Sequence, residues 1–76
     1  MRQTRMDEVV LRIPDMSCTK CVNIITKELK LIDGVENFKI KLKLKTIEME
    51  YDTSIISIDD IRDSLKEKGY ASLLVN

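Results

Sequence analysis

Apolar positions recur along this 76-residue chain at two different periods, and each change of period marks an element boundary. From Glu8 onward Val9, Leu11 and Ile13 alternate with Val10 and Arg12, the period-two signature of a strand with one face in a core. Pro14, which has no N–H for a ladder, ends it. Val22, Ile25, Leu29 and Ile32 then recur at three- and four-residue intervals, which predicts an amphipathic helix of about 12 to 14 residues. Asp33-Gly34 stops that helix, with Gly34 suited to the left-handed turn past a helix end. Phe38, Ile40 and Leu42 alternate with Lys39, Lys41 and Lys43, and Ile47, Met49 and Tyr51 alternate with Glu48, Glu50 and Asp52. These are two successive strands, with Leu44 in the turn between them. Their lysine and acidic faces suit antiparallel neighbours with opposite charges across from each other in solvent.

Ser57, three residues before Asp60, reads as an N-cap with an acidic first turn, and Ile58, Ile61 and Leu65 form a second helical stripe. Lys66 and Lys68 fall where a helix C-terminus favours positive charge, and Gly69 closes it. Tyr70, Ala71, Leu73 and Val75 predict a short last strand. The order is therefore strand, helix, strand, strand, helix, strand. Neither helix can bury its stripe alone, so the expectation is an α+β domain: four antiparallel strands with both helices on one face, the split β-α-β arrangement. The two halves share a three-element form without a residue-level repeat.

Composition narrows the function. Hydrophobic residues make up 43% and charged ones 34%, with two glycines and one proline, as expected of a packed domain. Residues 1–6 read as a polar tail and 7–76 as one domain. Thirteen basic and thirteen acidic side chains cancel, which argues against nucleic-acid binding. No apolar run approaches the roughly 20 residues of a membrane span, and the polar start has no signal-peptide pattern. The expected location is cytoplasmic, where a cysteine pair more often binds metal or reacts than staples a fold.

The only cysteines, Cys18 and Cys21, stand three apart where the first strand gives way to the first helix. At that spacing on a helix the β-carbons are roughly 5 to 6 Å apart, close enough to share one ion or to oxidise to a disulfide. Amide N–H groups and the helix dipole at such a junction favour thiolates, which both chemistries need. Lys20 adds a positive charge between them. The pair's interior is Thr19-Lys20 and the only proline is Pro14, so a thioredoxin-like site with its opposing cis-proline loop is the less favoured reading. Two sulfurs with no histidine in the chain are also too few for a closed structural zinc site, and suit a soft ion, above all copper(I).

The run Asp15-Met16-Ser17-Cys18-Thr19-Lys20-Cys21-Val22, followed by Ile25, Leu29, Gly34-Val35, Tyr51-Asp52, Ile61 and Gly69-Tyr70, resembles the heavy-metal-associated domain family over about residues 8–75. The family includes small copper chaperones and the metal-binding domains at the N-termini of copper-transporting P-type ATPases. The resemblance implies a ferredoxin-like βαββαβ fold, copper(I) held by Cys18 and Cys21, and delivery to a partner of the same fold. It also implies that Met16 is a buried anchor beneath the metal loop rather than a ligand, and that Tyr70 lies near the metal. Asp15 stands where the family usually has glycine, and as an oxygen ligand it would favour zinc or cadmium. Members that prefer such ions often carry aspartate directly before the first cysteine, where this chain has Ser17. Turn-forming is the commoner use of aspartate in such a place.

The expectation is thus a metal-trafficking protein and not an enzyme. Copper(I) passes from Cys18 and Cys21 to the soluble domain of a metal-transporting ATPase, and a metal-bridged homodimer is a further option. The alternatives are a thiol-disulfide redox protein using the same pair, and a domain of the same fold for zinc(II) or another soft metal.

Overall fold

The computed structural model describes residues 6–75 as β1 (Met6–Arg12), α1 (Thr19–Leu31), β2 (Val35–Lys41), β3 (Thr46–Asp52), α2 (Ile58–Glu67) and β4 (Leu73–Leu74). Of the tail expected over residues 1–6, all but Met6 lies outside the described residues. The strands form one antiparallel sheet in the order β2-β3-β1-β4. This is the α+β, ferredoxin-like βαββαβ architecture, and its core lies between the sheet and the two helices. Val9, Leu11 and Ile13 from the first strand and its exit meet Ile47, Met49 and Tyr51 from β3, Ile25 and Leu29 from α1, and Ile61 and Leu65 from α2. Each fully buried side chain of this kind contributes about 1.5 to 3 kcal/mol relative to leaving it in water.

The strict alternation of β1 and β3 survives because these strands are central and bury one face completely. β1 reaches back to Met6, opposite Asp52, three residues before the apolar alternation begins at Val9. β2 is an edge strand, so Phe38 and Ile40 are only half-buried. It starts at Val35 through a register shift between Val35 and Asn37, which hides the strand's start from a period-two pattern. The charged faces pair as expected: Lys39 is opposite Glu48, and Lys41 Nζ lies 2.6 Å from Glu48 Oε2.

The last strand differs from expectation. Only Leu73 and Leu74 pair with β1, Tyr70 and Ala71 are loop, and Leu73, Leu74 and Val75 are all exposed. Ser72 is the buried residue there. Its carbonyl oxygen accepts from Arg62 Nη2 at 3.0 Å and its Oγ from Arg62 Nε at 3.3 Å. The backbone before β4 is therefore bonded to α2 instead of extending the ladder.

Both helices start and stop for local reasons. Ser57 Oγ accepts from the Asp60 N–H at 3.2 Å, and Asp59 and Asp60 complement the dipole in the first turn of α2. After α1, Gly34 has φ +101°, and its carbonyl accepts the Asp52 N–H at 2.7 Å. A β-carbon on Gly34 would sit 2.7 Å from Ile56 Cγ2, so both conformation and space require glycine.

Strand directions decide what surrounds the cysteines. Because β3 and β4 run antiparallel to β1, the exit of β1, the β2–β3 turn and the loop before β4 share one end of the sheet. Ile13 N–H donates to the Lys45 carbonyl at 2.7 Å and ties that turn to the segment entering α1. Leu44 is exposed in the turn, as expected. Lys45 has φ +58°, a left-handed conformation that costs a non-glycine residue about 1 kcal/mol.

Candidate metal centre

From Ile13 the chain leaves the sheet through a turn around Pro14 and Asp15, closed by Met16 N–H donating to the Ile13 carbonyl at 3.0 Å. Met16 then drops into the core with no exposed surface. This anchors one end of the loop, and α1 anchors the other. Ser17 and Cys18 cross the gap. Cys18 is the extended N-cap residue, with φ −150° and ψ 167°, and its carbonyl accepts the Val22 N–H at 3.2 Å. Cys21 therefore sits in the first helical turn, half-buried, while Cys18 is exposed just outside the helix.

Both thiols are free, and the sulfurs are 3.2 Å apart. Two bonds of the zinc–sulfur length span about 4.6 Å when linear. A linear ion would then need roughly 1.4 Å of opening, a displacement that rotation of the exposed Cys18 side chain can supply. A bent arrangement needs less. The donor set fits a soft d¹⁰ ion, and among the described residues no group of three or more His, Cys, Asp or Glu side chains stands together as a metal cluster.

Cys21 is an activated thiol. Its pKa falls from the ordinary 9.0 to about 7, first through the hydrogen bond from the Tyr70 hydroxyl, then through the Ser17 backbone N–H and the Cys18 side chain, with a smaller contribution from the Cys18 N–H. Reciprocally, Tyr70 is pushed above its usual value, mainly because its proton serves the Cys21 sulfur. Tyr70 reaches that position from the loop after α2, where Gly69 takes φ +94° and the Tyr70 N–H donates to the Leu65 carbonyl at 2.9 Å. The structure thus brings together Cys18, Cys21 and Tyr70, and it buries Met16, two residues before Cys18, in the core.

Asp15 takes the turn-forming role. Its side chain is exposed, and its backbone carbonyl, 4.0 Å from Cys21 Sγ, is what it turns to the pair. Lys20, Lys66 and Lys68 are exposed, and Lys68 Nζ lies 3.9 Å from Glu28 Oε1. Amide donors at the junction were expected, but that they are those of Ser17 and Cys18 has no mark in residue type, because it depends on backbone direction. The link from Arg62 to Ser72 was also missed, because arginine and serine ten apart have no helical or strand relation.

The sequence pattern of the heavy-metal-associated domain matches residues 10–71. The chain belongs to the heavy-metal-associated domain family. Among its relatives, the copper chaperone CopZ of Staphylococcus aureus is 28% identical over 65 residues, covering 86% of this chain and 96% of its own. The N-terminal domain of a potential copper-translocating P-type ATPase from Bacillus subtilis, solved in the Cu(I)-loaded state, superposes with a TM-score of 0.85 at 30% identity, covering 91% of this chain and 86% of that one. Oxidized MerP from Ralstonia metallidurans superposes at 0.88 with 20% identity, covering 93% and 99%, and speaks for the fold alone. Among the described residues of this heavy-metal-associated domain, no helix is long and apolar enough to cross a membrane.

Proposed function

We propose that this chain is a copper(I)-trafficking domain that holds one ion between Cys18 and Cys21 and passes it on by ligand exchange. The observation that carries the reading is the thiol pair itself: two free sulfurs 3.2 Å apart, at the exposed end of the sheet, one of them with its pKa lowered to about 7. CopZ, a relative, is a copper chaperone, and one structural neighbour is a copper-loaded ATPase domain. Copper(I) is soft and accepts low coordination numbers. An acceptor thiolate approaches from the exposed Cys18 side, a three-coordinate bridge forms, and the ion leaves as these sulfurs let go. Cys21, held by Tyr70 and the loop amides, returns to a stabilised thiolate. The acceptor is the soluble metal-binding domain of a metal-transporting P-type ATPase. No organic bond is made or broken, so the role is carriage and not catalysis. Residues 7–76 act as one domain, in the cytoplasm, where thiols stay reduced.

The test is an anaerobic copper(I) titration of reduced protein against a competing chromogenic chelator, with zinc(II) alongside. The expected result is one copper per chain, held far more tightly than zinc and lost in Cys18→Ser and in Cys21→Ser. Retained one-to-one copper in the double variant would refute the site. Failure to compete for copper, with catalytic reduction of a disulfide substrate, would favour the redox alternative.

A further inference from the structure

Tyr70 reaches the Cys21 sulfur from a loop outside the sheet, so something other than strand pairing must aim its hydroxyl. On one side the loop is fastened to the end of α2. Lys68 N–H and Tyr70 N–H both donate to the Leu65 carbonyl, at 3.1 and 2.9 Å, and Gly69 N–H donates to the Lys66 carbonyl at 2.9 Å. On the other side the fastening is Arg62. Its Nη2 donates to the Ser72 carbonyl at 3.0 Å and its Nε to Ser72 Oγ at 3.3 Å. A planar guanidinium with two donors on one residue fixes that residue's orientation as well as its position.

Two observations mark this contact as more than packing. Ser72 is only 7% exposed, beside an open groove of about 460 Å³ lined by Asp59, Arg62, Asp63, Lys66, Ala71 and Ser72. Polar side chains prevail in that lining, so hydrogen bonds hold the segment where apolar contact does not. The grip also has a cost. A Ser72 carbonyl bonded to α2 does not lengthen the ladder with β1, and β4 is left as Leu73 and Leu74, both more than half exposed. The chain has thus given up strand for a fixed loop. Because α2 packs on α1, and Lys68 Nζ lies 3.9 Å from Glu28 Oε1, a loop held to α2 is also placed relative to the helix that carries Cys21.

We propose that Arg62 is a positioning residue for the thiol pair: its grip on Ser72, two residues beyond Tyr70, sets the Tyr70 hydroxyl on the Cys21 sulfur. Arg62 touches neither sulfur and acts through Tyr70. Hydrogen bonds weaken steeply with distance and angle, so a loop displaced by about an ångström loses this one. What the positioning serves rests on the copper-trafficking reading. The positioning itself can be measured without metal.

Tyrosine isotope-labelled at Cζ reports the hydrogen bonding of its hydroxyl by NMR, and the chain's two tyrosines supply a signal and a control: Tyr70 at the thiols and Tyr51 in the core. In metal-free reduced protein, Arg62→Met keeps an apolar stem and removes every donor. It should move the Tyr70 resonance toward that of a solvent-exposed tyrosine and leave Tyr51 in place. Arg62→Lys, with one ammonium instead of the fork, should fall between. Chelator competition for copper(I) at about pH 7 then compares wild type, Arg62→Met, Tyr70→Phe and the double variant. Tyr70→Phe should weaken copper roughly threefold or more, because a hydrogen bond to sulfur favours its anionic form over the thiol. Arg62→Met should approach the same factor, and the double variant should be no weaker than Tyr70→Phe. A Tyr70 resonance unmoved in both Arg62 variants would overturn the proposal, as would an Arg62→Met loss that multiplies that of Tyr70→Phe. Tyr51 moving together with Tyr70 in both variants would make Arg62 a support of the whole fold and overturn it equally. Equal copper affinity in all four proteins would leave the trafficking reading standing and remove the role given to Arg62. Absence of copper binding in all four, with Tyr70 alone still moving, would sink the trafficking reading and leave the positioning intact.

Discussion

The Tyr70 hydroxyl donates to the Cys21 sulfur, joining the loop after α2 to the first turn of α1. This is the largest of the contributions that lower the Cys21 pKa from 9.0 to about 7. A pKa lowered on folding adds stability that is fully present above the unfolded value of 9.0 and is lost as pH falls through about 7. In metal-free reduced protein, stability contributed by Cys21 should therefore rise between about pH 7 and 9 and be flat below. Tyr70→Phe should return the Cys21 pKa toward 9.0, read as a shift in thiolate ultraviolet absorbance on titration. It should also flatten the stability profile over that window. An unmoved thiolate titration would place the activation in the Ser17 amide and in the side chain and amide of Cys18.

Copper(I) competes with a proton for Cys21, so acidification below about pH 7 should weaken copper binding by up to about tenfold per pH unit for that thiol. Chelator competition at a series of pH values checks this. A flat profile between pH 5 and 7 would show that Cys21 is already ionised well below that range.

Met16 has no exposed surface, and it anchors the loop two residues before Cys18. Met16→Ala should lower stability by about 2 to 5 kcal/mol, through lost burial and the cavity left behind. Denaturant unfolding measures it. Met16→Leu, close in volume, should cost less than about 1.5 kcal/mol. An unchanged midpoint in Met16→Ala would remove Met16 from the core.

Gly34→Ala combines a left-handed backbone with a β-carbon 2.7 Å from Ile56 Cγ2. It should destabilise by more than the ~1 kcal/mol of the conformational penalty alone. Gly69 is also left-handed, at φ +94°, but a β-carbon there meets nothing within 4 Å. Gly69→Ala should therefore show the smaller loss, and equal losses in thermal unfolding would remove the steric part of the argument.

Ser57→Ala removes the oxygen that accepts the Asp60 N–H, and should cost about 0.5 to 2 kcal/mol. Ser57→Asp should restore most of that, since aspartate caps as well and suits the helix dipole. Thermal melts of the three forms check both signs.

The alternation of Val9, Leu11 and Ile13 and of Ile47, Met49 and Tyr51 determined the two central strands, because a strand buried on one face must repeat with period two. The three- and four-residue spacing of Ile25 and Leu29, and of Ile61 and Leu65, determined the helices and their buried faces in the same way. Cys18 and Cys21 could be singled out from spacing and from the absence of histidine. What patterning could not supply was position at the edges of the sheet. β4 buries little, so no apolar period is imposed on it, and the register shift at the start of β2 hid where that strand begins. The extent of β4 depended on whether the Ser72 carbonyl bonded to β1 or to Arg62.

Tertiary structure alone decided what stands around the thiols. Tyr70 is 49 residues beyond Cys21, and Lys45 is 32 beyond Ile13, so no local period relates either pair. They meet because the antiparallel order β2-β3-β1-β4 returns two distant loops to the end where β1 hands over to α1. Sequence by itself determined which sulfurs are available and how far apart along a helix they begin. The folded chain determined that Cys21 faces the Tyr70 hydroxyl and two backbone amides, and that Met16 is buried in the core, because directed hydrogen bonds and burial depend on the relative placement of packed elements.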